Sequence, residues 1–137
     1  MAGVYFADTF YWVALTYPPD AWHSRVVTWA NANQSAKLIT TEEVLSEFLT
    51  WFAQSGPPGR AGAAAAVRKI LGDPSVQVLP QTSADFYSAL ALYEARLDKD
   101  YSMTDCRSMV AMKSPGLSEA LTNDHHFAQE GFTVLFP

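Results

Sequence analysis

Four acidic residues stand where a chain of this kind could use them. Asp8 closes the apolar run Val4-Tyr5-Phe6-Ala7, and Asp124 comes three residues after Leu121, in another apolar run. Asp105 opens a helix after a short loop. Glu47 lies mid-helix between Val44 and Trp51, at the border of an apolar face where partial desolvation is expected. In an open α/β sheet the functional crevice lies beyond the carboxyl ends of the strands, so these acids are expected to converge on one rim. No basic partner for them is evident. Crowded like charges are unfavourable unless a cation sits among them. A ligand set made only of oxygens selects hard ions such as Mg²⁺ or Mn²⁺, and the Cys-rich or His-rich spacing of a zinc site is absent.

Each acid also has a plainer role. Asp8 and Asp124 could cap the helices that follow them, and Ser102-x-x-Asp105 reads as a capping box. Glu43 pairs with Thr40 in a similar pattern and is expected to be structural. His125 and His126 are neighbours on a helix and should point in different directions, which favours packing or surface roles over joint ligation. Cys106 has no triad around it and reads as a small core residue. Trp12, Trp22, Trp29, Trp51 and Phe52 could stack on bases, but their helical spacing suits a core, or a dimer surface where exposed.

The elements that must position the acids alternate in type. Strands are expected at Val4–Ala7, Lys37–Ile39, Val76–Leu79, Glu119–Thr122 and Phe132–Leu135. Helices are expected after Asp20 (Trp22, Val26, Trp29), over 40–52, 61–71, from Thr82 (Phe86, Leu90, Tyr93, Leu97), 104–113 and 124–129, with Gly56-Pro57-Pro58-Gly59 as a stop. Such alternation implies a three-layer α/β domain: a mainly parallel sheet of about five strands flanked by helices. At 137 residues, with 49% hydrophobic and 17% charged, the chain is long and apolar enough for one core and is expected to be a single domain over 1–137. Its net charge of −5 argues against binding nucleic acid through bulk charge. One cysteine excludes an internal disulfide. Met1-Ala2-Gly3-Val4 carries no basic leader segment and no apolar stretch is long enough for a bilayer, so no membrane association and a cytoplasmic location are expected.

Phe6-Ala7-Asp8-Thr9, Thr40-Thr41 with Val44-Leu45-Ser46-Glu47, Tyr101-Ser102-Met103-Thr104-Asp105 and Leu121-Thr122-Asn123-Asp124-His125-His126-Phe127 follow one another in an order and spacing that resembles the PIN domain. The resemblance covers nearly the whole chain and is nearest to the small proteins that include VapC-type toxins. It implies that Asp8, Glu47, Asp105 and Asp124 are metal-binding acids, that hydroxyls of Thr9 and Thr104 support them, and that Asn123 assists from behind. It further implies Mg²⁺ or Mn²⁺ as cofactor, cleavage of an RNA substrate, a cognate antitoxin protein as possible partner, and a homodimer. Substrate contacts could come from Arg25, Arg60, Arg68, Lys69, Arg96, Lys99 or Arg107, with Arg107 first. An aspartyl phosphotransferase using Asp8 would carry a second Asp two residues on, where this chain has Phe10. The remaining alternative is a PIN-like module that binds RNA or protein without cutting.

Overall fold

The computed structural model describes residues 3–137. Met1 and Ala2, the start of the segment expected to lack a leader, lie outside the described residues. Strand β1 (Val4–Ala7) leads into helix α1 (Thr9–Thr16) and α2 (His23–Ala32). Strand β2 (Lys37–Thr41) is followed by α3 (Glu42–Trp51) and α4 (Gly56–Leu71). Strand β3 (Val76–Leu79) precedes α5 (Ser83–Ala95) and α6 (Met103–Lys113). Strand β4 (Glu119–Leu121), α7 (His125–Gln129) and β5 (Thr133–Val134) complete the chain.

The sheet order is β3-β2-β1-β4-β5, and all four pairings are parallel. This agrees with the expected three-layer arrangement and sharpens "mainly parallel" to parallel throughout the described strands. The order matters for function. From β1 the chain winds outward through β2 and β3, then returns to place β4 on the other side of β1. The strand order therefore reverses between β1 and β4, and a crevice opens where the flanking connections diverge. Phe6, Ala7, Ala120 and Leu121 have no solvent exposure, as expected for central strands covered on both faces. Phe48 of α3, Met109 and Met112 of α6, and Phe127 of α7 are buried with them.

Three local expectations differ from the structure. Gly56-Pro57-Pro58-Gly59 does not stop a helix but forms the first turn of α4. Proline is tolerated there because the first helical N–H groups have no partner in any case. Asp20 does not cap α2; its side chain accepts the N–H of Trp22 at 2.8 Å in the turn before it. The stripe Phe86-Leu90-Tyr93-Leu97 overruns α5, which ends at Ala95, and is not the core face: Ala89 and Leu92 are buried, while Phe86, Tyr93 and Leu97 are 52%, 45% and 81% exposed. Helical period identifies two faces, but only the packing against α6 decides which one is covered.

A buried acid ties the far ends of this framework together. Glu130, just after α7, accepts from Arg96 Nε and Nη2 at 2.8 and 2.9 Å, from Lys113 Nζ at 2.9 Å and from the Tyr101 hydroxyl at 3.1 Å. These donors hold its carboxyl down at about 2, Arg96 contributing most. A lowered folded value means stability that is present above the unfolded carboxylate range and is lost as pH falls towards 2. Glu130→Gln should therefore destabilise the protein by about 2 kcal/mol at neutral pH. The deficit relative to the parent should shrink between about pH 5 and pH 2, as read by urea unfolding at the two limits.

Candidate metal centre at the β1–β4 crevice

The site is assembled by backbone pairing before any side chain acts. Ala7 lies in register with Leu121, and the Asp8 N–H donates to the Leu121 carbonyl at 3.3 Å, so the ladder runs one step past each strand. Asp8 thereby faces Thr122 across the reversal point. The Thr122 hydroxyl donates to Asp8 Oδ2 at 2.8 Å and accepts the N–H of Asp124 at 3.1 Å. One fully buried hydroxyl thus links the acid after β1 to the acid after β4. Behind it, the Thr40 hydroxyl donates to the Ala7 carbonyl at 2.8 Å and receives Trp12 Nε1 at 3.3 Å, fixing the end of β1 against β2 and α1.

The other two acids come from helices. Asp105 sits in the first turn of α6 in a complete capping box: its N–H donates to Ser102 Oγ at 3.0 Å, and its Oδ2 accepts the Ser102 N–H at 3.1 Å. Capping occupies one oxygen and leaves the other for the crevice, so the structural and the functional readings of Asp105 are compatible. The same holds for Asp124, whose Oδ1 caps α7 through the His126 N–H at 2.9 Å. Glu47, on α3, accepts a short hydrogen bond from the Thr9 hydroxyl. It is exposed, not half-desolvated as its sequence neighbours suggested, because Trp51 one turn on is itself exposed.

The acids feel one another's charge in pairs, Asp8 with Asp105 and Glu47, and Asp105 with Asp124. Asp8 is only 8% exposed. Burial pushes its carboxyl up to about 7, and the charges of Asp105 and Glu47 push in the same direction against the hydrogen bonds from Thr122 and the Thr9 N–H. Asp105 is also raised, first by burial and then by the charge of Asp124, with Ser102 and His126 opposing. Among the described residues, none of the four pairs with a lysine or arginine. A buried carboxyl without a counter-charge that feels the charges of Asp105 and Glu47 would suit a hard divalent cation. The residues present fit such an ion.

The remaining sequence expectations fare unevenly. Thr104 is half-buried in the first turn of α6, and Asn123 is exposed in the loop before α7. Arg107 is corrected: it is not a free substrate contact. Two residues on a helix turn its side chain about 200° away from Asp105. There it is buried, with Nε on Glu43 Oε2 at 2.9 Å and Nη2 within 3.3 Å of both Asp85 and the Pro80 carbonyl. Glu43 is structural as expected, but through this pair; Thr41, not Thr40, caps α3. His125 is exposed and His126 packs against Tyr101, in keeping with the surface and packing roles expected of them. The two imidazoles nevertheless lie 4.5 Å apart and both approach Asp124. Thr122 and Thr40 were missed; apart from the resemblance, only their position at strand ends could have signalled them. Cys106 is fully buried in α6, as expected.

No family model matches the sequence. The chain is 29% identical over 134 residues to the 23S rRNA-specific endonuclease VapC20 of Mycobacterium tuberculosis, covering 96% of this chain and 98% of that relative. The crystal structure of Mycobacterium tuberculosis VapC20, a Sarcin-Ricin loop cleaving toxin, matches with a TM-score of 0.84 at 26% identity over 98% of this chain and 99% of that one. FitAcB from Neisseria gonorrhoeae matches with a TM-score of 0.66 at 15% identity, over 96% of this chain and 95% of that one. VapBC2 from Rickettsia felis, bound to a DNA fragment from their promoter, matches with a TM-score of 0.64 at 12% identity over 96% of each chain. The last two likenesses are of fold.

The raised carboxyl of Asp8 gives the protein an unusual pH response. Between its unfolded value and about 7 the folded chain holds a proton that the unfolded chain has released. That stabilisation is complete below the unfolded value and is lost as pH rises through 7. In EDTA the parent should be more stable near about pH 5 than near about pH 8, by roughly 1–3 kcal/mol. Asp8→Asn keeps an acceptor for Thr122 and should flatten the dependence, equalling or exceeding the parent at the higher pH. Urea unfolding at both values checks this; a variant weakened equally at both would make Asp8 a structural acid.

Proposed function

We propose that the chain, which is similar to VapC20 in sequence and fold, is a VapC-type PIN-domain protein and a divalent-metal-dependent endoribonuclease, the toxin of a toxin–antitoxin pair acting on RNA phosphodiesters in the cytoplasm. The observation that carries this reading is Asp8: a buried carboxyl with no cationic partner, linked through Thr122 to Asp124 and coupled by charge to Asp105 and Glu47. No helix among the described residues is long and apolar enough to cross a membrane.

Asp8, Glu47, Asp105 and Asp124 would hold Mg²⁺ or Mn²⁺, with one or both oxygens of each turned to the crevice. Such an ion supplies positive charge against the attacked phosphate and the leaving oxygen, and makes a water easier to deprotonate. The chain's own part is positioning. Thr122 and Thr9 each donate a hydroxyl proton to a carboxylate, which fixes the direction of its remaining lone pairs. In the proposed site, Thr104 and Asn123 support the same acids. Of the four acids Glu47 is the exposed one, which suits it to pass a proton from the attacking water to solvent. Arg107, committed to Glu43, is not available to substrate phosphates.

Incubation of the purified chain with labelled RNA and with ribosomes, in Mg²⁺, Mn²⁺ or EDTA, tests the reading. Cleavage is expected with metal and not with EDTA, and Asp124→Asn should lower the rate at least about 100-fold while the circular dichroism is unchanged. Cleavage that survives EDTA would contradict the metal; no cleavage of any RNA would favour the silent binding module.

A homodimer is part of the same proposal. Phe86, Tyr87, Tyr93 and Leu97 on and after α5, with Leu49 and Trp51 on α3, leave large apolar side chains in water, which a second copy could cover. Sedimentation at micromolar concentration should give twice the chain mass, and Phe86→Glu with Tyr93→Glu should return it to the monomer. A parent that sediments as a monomer would remove the dimer.

A further inference from the structure

The acidic rim changes its donor chemistry at one edge. Asp124, His125 and His126 each bring a ligand atom within 4.8 Å of the others. Asp124 Oδ1 lies 3.8 Å from His125 Nδ1 and 3.2 Å from His126 Nδ1, and His126 Nδ1 is 3.5 Å from Asp105 Oδ2. His126 Nδ1 is shut off from solvent, yet neither carboxylate is aligned to hydrogen-bond with it. A protonated imidazole serving only as counter-charge would be expected to aim its N–H at one of them. Tyr101 packs edge-on against the His126 ring at 5.5 Å and is itself anchored by Glu130, so the ring is braced from behind. His125 is 76% exposed and free to swing.

These spacings are those of ligands around a small ion. Bonds of about 2.0–2.1 Å in a tetrahedral site put neighbouring donors roughly 3.3 Å apart, and 3.2 and 3.8 Å bracket that value. Oxygen donors alone suit Mg²⁺, whereas imidazole nitrogens shift preference to later first-row ions, which bind such sites more tightly. We propose that Asp124, His125 and His126, with Asp105 alongside, form a binding site for a nitrogen-preferring transition dication, of which Zn²⁺ is the representative. The site shares Asp124 and Asp105 with the carboxylate cluster, and although the oxygens that face the imidazoles are those that also cap α7 and α6, an ion held there competes with Mg²⁺ for the same two carboxylates. The inference goes beyond the ribonuclease reading and is tested without RNA.

The test is calorimetric titration of the untagged chain with Zn²⁺ in millimolar Mg²⁺, and with Co²⁺ as an absorption probe. The parent should bind one Zn²⁺ per chain and develop visible Co²⁺ bands of a site containing nitrogen. His125→Ala, at an exposed position that folding does not need, should weaken Zn²⁺ at least about tenfold, and His126→Gln should do at least as much. His23→Gln, whose ring contacts the Ala14 carbonyl away from the rim, should leave it unchanged. Zn²⁺ affinity equal to the parent's in the His125 and His126 variants would overturn the proposal, as would full displacement of Zn²⁺ by an equal concentration of Mg²⁺.

Discussion

The desolvation of Asp8 is the constraint on which the rest of the arrangement depends. A carboxyl placed at the end of the central strand, beside the next strand of a sheet covered on both faces, cannot keep its water. Among the described residues, no lysine or arginine pairs with it. The chain gives it one hydroxyl, from Thr122, and lets further acids approach. Each of those choices raises the energy of the ionised form in the absence of a cation and lowers it in the presence of one. The sheet order makes the placement possible, because only between β1 and β4 do the connections part and leave the strand ends open.

The same chain shows what a buried acid looks like when its task is structural. The Glu130 side chain is only 5% exposed, but four donor contacts from three side chains converge on it and hold its carboxyl at about 2. Glu43 has its arginine in Arg107. Two acids are thus matched with cations inside the protein, and a third is left without one at the crevice. Contributions of opposite sign to the pH dependence follow from that difference. The contrast separates a site from a scaffold more clearly than burial does, and it links the two physically: Glu130 anchors Tyr101, Tyr101 braces His126, and His126 lies between Asp105 and Asp124.

Most of the elements were legible in the sequence, since short apolar runs ending at a polar residue and capping patterns such as Thr82 with Asp85 and Ser102 with Asp105 are local signals. Local signals also explain the errors. Two prolines after a glycine read as a stop, although they equally suit a first helical turn. The apolar stripe of α5 has helical period, but sequence does not say whether α6 or a second copy covers it. Of the proposed site acids, Asp8, Asp105 and Asp124 stood out because they follow strands or open a helix, and Glu47 as a mid-helix acid beside the core. The partners were not: that Thr122 bridges two acids, that Arg107 belongs to Glu43, and that two successive histidines meet at a cap are consequences of strand register and helix rotation. Pairings between residues 64 or 114 positions apart are settled by packing.

The most direct measurement of the central claim is the titration of the Asp8 carboxyl itself, by carbon-13 NMR of aspartate-labelled protein assigned with Asp8→Asn. Without divalent ion, Asp8 should remain protonated until about pH 7. Saturating Mg²⁺ should drive its midpoint down by several units, as an ion among the four carboxylates must. An Asp8 that titrates in the ordinary carboxylate range without metal and does not respond to Mg²⁺ would contradict the account.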